Sequence, residues 1–84
     1  MKHIAILDMK LKFPFIYAKF EDAKKFKYDI NEMIPERKEY EKLKNINFFN
    51  QAKLSPGGIA IYWDDFIDIP SDGVYEYGEE IENF

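Results

Sequence analysis

The sequence predicts an α+β domain: a small, mainly antiparallel sheet of two hairpins plus an N-terminal strand, with short helices around residues 31–34, 45–50 and 71–77. Three observations predict it. Aromatic and β-branched residues alternate with a period of two in separate stretches, which is the periodicity of half-buried strands. Pro, Gly and Asn punctuate the chain at short intervals, as short elements and tight turns require. Aromatic residues make up 18% of the 84 residues, and each can bury about 150–250 Å², so a chain this short can still fill one core. A single domain over residues 1–84 is expected, with residues 79–84 as a frayed tail.

Each element has its own local signal. Residues 3–8 are a short apolar run stopped by Asp8 and read as the first strand. Residues 13–20 alternate strictly, with Phe13, Phe15 and Tyr17 on one face and Ile16, Ala18 and Phe20 on the other. Pro14 cannot donate to a ladder, so it belongs at the strand start or on an edge. Glu21-Asp22-Ala23 is a polar turn leading to residues 24–30, where Phe26, Tyr28 and Ile30 alternate with Lys25, Lys27 and Asp29. This pair makes the first hairpin, although Ala23 adopts a positive φ less readily than Gly or Asn.

Asn31-Glu32-Met33-Ile34 reads as one helical turn capped by Asn31 and limited by Pro35. Residues 36–44 are a charged, partly helical connection, and Asn45 caps a second short helix through Ile46, Phe48 and Phe49. Ser55-Pro56-Gly57-Gly58 is the strongest turn signal, with Pro second and Gly third as a type II turn prefers. It joins residues 51–54 to the alternating Ile59, Ile61 and Trp63 as a second hairpin. Pro70-Ser71-Asp72 opens the last helix, with Val74, Tyr75 and Tyr77 toward the sheet and Gly78 ending it.

Composition excludes several functions. With no cysteine there is no disulfide, no thiolate nucleophile and no zinc–thiolate site. The N-terminal apolar stretch is broken by Asp8, Lys10 and Lys12, and no stretch reaches the ~20 apolar residues of a membrane span. A cytoplasmic protein without membrane contact is the expectation. Charge is segregated along the chain: all twelve Lys and Arg lie between Lys2 and Lys53, whereas residues 64–84 carry eight carboxylates and no basic side chain. Such a segment either pairs loosely with the protein's own lysines or faces a basic partner.

Three ordered sets of residues carry a resemblance. The first is Phe20-Glu21-Asp22-Ala23 with Phe26 and Tyr28-Asp29-Ile30. The second is Leu43-Lys44-Asn45 with Phe48 or Phe49. The third is Ile61-Tyr62-Trp63, then Asp68-Ile69-Pro70-Ser71-Asp72 and Val74-Tyr75-Glu76. Over residues 4–78 the set is similar to the small bacterial family called domain of unknown function 2442. The resemblance implies a compact α+β fold and no established activity or catalytic residues. It also implies a toxin–antitoxin or regulatory setting, since some relatives carry an added helix-turn-helix domain; with Phe84 as its last residue, this chain is expected to carry none. Two departures stand out: Ala23 where the family favours Gly, and Asp64-Asp65-Phe66 where small polar residues and Gly are usual.

Catalytic constellations are poorly served. His3 is the single histidine, and neither Ser55 nor Ser71 sits in a nucleophile-elbow context. Asp64, Asp65, Asp68 and Asp72 offer oxygen ligands for a hard cation, but their spacing fails the calcium-loop template, and Asp68 and Asp72 read better as turn and cap residues. No cofactor and no metal is expected. Lys24, Lys25 and Lys27 beside Phe20, Phe26 and Tyr28 suggest a weak platform for single-stranded nucleic acid, opposed by a pI near 4.9.

The expectation is therefore a non-enzymatic protein-binding module, the antitoxin-like or regulatory member of a bacterial pair, with a basic protein as partner. Its candidate surface is Phe13, Phe15 and Tyr17 with Asp64 and Asp65. The alternatives are a small enzyme or metal-binding domain using the acidic residues 64–72, the nucleic-acid binder at the first hairpin, and a homo-oligomer that covers its own aromatic surface.

Overall fold

A computed structural model describes residues 4–84 and shows an α+β domain of two antiparallel sheets closed over one core. The larger sheet holds β1 (Ile6–Lys12), β2 (Phe15–Phe20), β3 (Lys25–Asp29) and β7 (Glu79–Ile81), in the order β1-β2-β3-β7. The smaller holds β4 (Lys53–Leu54), β5 (Ala60–Tyr62) and β6 (Asp68–Pro70), in that order. Two sheets rather than one follow from the chain between β3 and β4, which winds through 3₁₀ turns and separates the hairpins.

The first strand lies later than its apolar run suggests, at Ile6–Lys12 instead of residues 3–8. A register shift between Ile6 and Asp8 lets two β1 residues face one on β2, so inward-facing Ile6 is followed by Met9 and Leu11. This bulge breaks the simple alternation and puts Lys10 and Lys12 on the outer face. His3 lies outside the described residues.

β2 starts at Phe15 because Phe13 and Pro14 form the β1–β2 turn, joined by a cis peptide bond. The expected face of Phe13, Phe15 and Tyr17 is therefore divided. Phe13 leaves the strand, and its ring meets the buried Phe49 edge-on, centroids 5.2 Å apart. Ile16, Ala18 and Phe20 are fully buried, as the alternation predicts.

The β2–β3 turn is closed by Phe20 N–H donating to the Lys24 carbonyl at 2.8 Å and Ala23 N–H to the Phe20 carbonyl at 2.9 Å. Ala23 takes φ 73°, the left-handed conformation that closes a three-residue hairpin loop. Asp22 Oδ1 accepts from Lys24 N–H at 3.0 Å and steadies the loop from the side chain.

The expected helical turn at residues 31–34 is instead a pair of 3₁₀ turns, Ile30–Glu32 and Ile34–Glu36. Asp29, not Asn31, is the cap, its Oδ1 accepting from Asn31 N–H at 2.9 Å. Pro35 sits in the first turn of the second segment, where a missing N–H costs nothing, so it starts a turn rather than ending one. A further 3₁₀ stretch, Lys38–Lys44, buries Tyr40 and Leu43. Helix α1 (Ile46–Phe49) follows under the Asn45 cap, with Asn45 Oδ1 accepting from Asn47 and Phe48 N–H.

At Ser55-Pro56-Gly57-Gly58, Gly58 N–H donates to the Ser55 carbonyl at 2.9 Å, and Gly57 has φ 80° and ψ −3°, the geometry of a type II turn. Gly58 also sets how the sheets meet, because a Cβ there would strike the Ile6 carbonyl oxygen and hold them apart. Trp63 follows β5, and its Nε1–H donates to the Phe49 carbonyl at 2.9 Å inside the core.

Helix α2 (Ser71–Tyr77) packs Val74 and Tyr75 on the larger sheet, where the rings of Phe20, Phe26 and Tyr75 form a mutually contacting trio. Gly78 ends it with φ −76°, so no left-handed cap is involved. A Cβ at Gly78 would lie 2.5 Å from the Val74 carbonyl oxygen and 3.3 Å from that of Lys27. That close approach delivers the chain onto β3, where residues 79–81, expected to fray, pair as β7 (Lys25↔Ile81, Lys27↔Glu79). No helix among the described residues is long and apolar enough to cross a membrane.

Candidate functional site

The candidate residues fall into three places. Phe15 and Tyr17 share the outer face of the larger sheet, both half-buried. Lys27 Nζ lies 4.2 Å from the Phe15 ring centroid, and the Phe84 ring stacks on Tyr17 at 5.9 Å and 28°. Phe13 turns toward Phe49 and does not join them. Asp64 and Asp65 occupy the loop between β5 and β6. There Asp64 Oδ1 accepts from the N–H groups of Phe66 and Ile67 at 2.8 and 2.9 Å, and Oδ2 lies 3.9 Å from Lys42 Nζ. Asp64 thus shapes its own loop, and Asp65 is exposed beside it.

The acidic residues 64–72 do not converge on a point. Asp72 Oδ1 accepts from Ile4 N–H at 3.2 Å, tying α2 to the N-terminal segment. Among the described residues, no three His, Cys, Asp or Glu are placed to hold one metal ion. The aromatic platform expected beside Lys24, Lys25 and Lys27 is absent from that position. Phe20, Phe26 and Tyr28 point into the core because the lysines take the alternate, wet positions of β3.

Asp68 leads to a different feature. It lines a hollow of about 460 Å³ together with Glu32, Glu36, Tyr28, Tyr40 and Tyr77. Three remote segments build this hollow. The 3₁₀ stretches supply Glu32 and Glu36, at a spacing of four, and Tyr40; β3 supplies Tyr28; and β6 with α2 supplies Asp68, Pro70, Gly73 and, at the end of the helix, Tyr77. Tyr77 stands exposed at the edge of the hollow. A shallower hollow of about 230 Å³ continues past Glu32 and Tyr77 to Asp29, Glu79 and Lys27.

The field in the hollow is negative, and Tyr28 registers it. Burial, and next the charges of Glu32 and Glu36, push its phenol up to about 12. Carboxylates that resist forming a phenolate equally favour a cation beside them, and tyrosine faces add attraction for an ammonium or guanidinium.

A family model described as a protein of unknown function, DUF2442, matches residues 10–80. The chain belongs to the DUF2442 family. No curated protein and no solved structure matches it. In this DUF2442 domain the matched region runs from β1 to β7 and takes in every segment that builds the hollow. Glu32, Glu36 and the three tyrosines are not recognisable as a group in the sequence because no local pattern joins them. The spacing of four between Glu32 and Glu36 is the one available signal, and the intervening Pro35 obscures it.

Proposed function

We propose that this domain is a non-catalytic protein-binding module whose acidic, tyrosine-lined hollow receives lysine or arginine side chains of a basic partner protein. The observation that carries the reading is the convergence of Glu32, Glu36 and Asp68 on a concave space walled by Tyr28, Tyr40 and Tyr77. An alkyl stem packs on the tyrosine faces while the charged head meets carboxylates, so one side chain satisfies both parts of the lining. Several carboxylates around one hollow also steer a basic surface toward it and reject an acidic one. An antitoxin-like or regulatory member of a bacterial pair is the setting that the family resemblance favours.

The test uses short peptides bearing lysine or arginine, followed by nuclear magnetic resonance on the whole chain. Shifts should concentrate at Tyr28, Gly73 and Tyr77 and vanish in the Glu32→Gln, Glu36→Gln, Asp68→Asn variant. A basic partner recovered from the native cell should be retained by the wild type and lost by the same variant. Equal retention by both, or peptide shifts scattered over the surface, would overturn the reading.

A further inference from the structure

The outer face of the larger sheet is chemically unlike the hollow. Register places Tyr17 directly between Lys10 on β1 and Lys27 on β3, with the Lys27 ammonium lying over the adjacent Phe15 ring. Directly opposed residues have Cβ atoms about 4.5–5.5 Å apart, within reach of one ligand. Lys12 on β1 pairs with the neighbouring Phe15, and Asp29 and Glu79 border that residue on its β3 side.

The Tyr17 ring is already used as a stacking surface. Phe84 lies offset-parallel on it, at 5.9 Å and 28°. Lys25 Nζ, donating to the Glu82 carbonyl at 3.2 Å, helps hold that segment in place. Beside the pair runs a cleft of about 520 Å³ lined by Lys10, Lys12 and Tyr17, a volume in the ordinary range of small-ligand sites.

The geometry points to this face as a seat for single-stranded nucleic acid, with a base stacked on Tyr17 in the position of Phe84 and phosphates held by Lys10, Lys12 and Lys27. A flat ring flanked by cations matches a polymer that carries an aromatic base and a phosphate at every unit. An acidic peptide offers rings and charges only at intervals and on flexible stems. The seat shares no residue with the larger hollow, and only Lys27 with its smaller extension. Because the whole chain carries a net charge of −4, binding is confined to low salt and weakens steeply as salt rises.

The experiment is fluorescence anisotropy of a labelled oligothymidine, about ten nucleotides long, titrated with the full chain. Phe84→Ala should tighten binding about threefold to tenfold, because it vacates the aromatic stack on Tyr17. Tyr17→Ala should weaken it at least about fivefold. Lys10→Glu with Lys27→Glu should abolish it, which keeps the test decisive if circular dichroism shows that Tyr17→Ala disturbs the fold. No binding by Phe84→Ala at low salt, or equal binding by the lysine variant, overturns the proposal. A Phe-containing acidic peptide that displaces the oligonucleotide and binds more tightly would instead make the face a peptide site.

Discussion

The Tyr75 hydroxyl donates to Asp22 Oδ2 at 2.7 Å, linking helix α2 to the β2–β3 turn across 53 positions of sequence. The same Tyr75 ring meets Phe20 and Phe26, and Lys24 Nζ lies 5.9 Å from its centroid. One side chain thus joins the aromatic core to the exposed end of the first hairpin.

This bond makes part of the stability pH-dependent, with a definite sign. The Tyr75 hydroxyl holds the Asp22 carboxyl below its ordinary 3.8, and Asp22 in turn raises the Tyr75 phenol above its ordinary 10.0. The depressed carboxyl stabilises the fold above 3.8 and loses that contribution as pH falls through its folded value. The raised phenol contributes below 10.0 and loses its part as pH rises through its own folded value. Thermal melts of Tyr75→Phe and wild type should therefore differ most at neutral pH and converge at strongly acidic pH. A difference that stays constant across the acid range would show that the bond is not its source.

Tyr28 supplies a spectroscopic probe of the hollow. In a phenolate absorbance titration its step should appear at about 12, well above the ordinary 10.0 of a tyrosine. Glu32→Gln with Glu36→Gln should move the step toward 10.0 without abolishing the shift, since burial is the larger cause. A step that ignores both substitutions would mean that the carboxylates do not act on the hollow.

Ala23 is a strained position that glycine would relieve. Its φ of 73° costs a Cβ-bearing residue about 1–2 kcal/mol, part of which Gly loses again through unfolded-state entropy. Ala23→Gly should stabilise the domain by about 1 kcal/mol, or roughly 4–8 °C in Tm. The turn geometry predicts the gain at this site only, and an unchanged or lowered Tm would contradict it.

Ser71 is fully buried, and its hydroxyl has no hydrogen-bond partner in the structure. Burying an unpaired hydroxyl costs about 1–3 kcal/mol. Ser71→Ala should thus hold or raise stability, by up to about 1 kcal/mol after allowing for lost packing. A clear loss in urea unfolding would reveal a partner for this hydroxyl.

Much of the fold is legible in the sequence because it is local. The alternation of residues 15–20 and 25–29 names the buried face of β2 and β3 without reference to any other segment. The Asn45 cap and the Ser55–Gly58 turn are decided by side chains and φ preferences within four residues of themselves. The true start of β1 is hidden because a bulge breaks the period that marks a strand. The cap of the turn after β3 falls on Asp29 rather than Asn31, and two such polar residues look alike in sequence.

Hydrophobic period and turn chemistry act over a few residues, and they suffice for an α+β domain of the DUF2442 type, the buried faces of β2 and β3 and most of the turns. Long-range packing makes a strand of residues 79–81, since Glu79 and Glu80 have little reason to be extended until Gly78 brings them onto β3. It also decides where the carboxylates matter. The acidic run at residues 64–72 disperses, while Glu32, Glu36 and Asp68, remote in sequence, meet three tyrosines in one hollow. Such a meeting depends on how sheets, 3₁₀ turns and helix α2 pack together, and no local pattern encodes it.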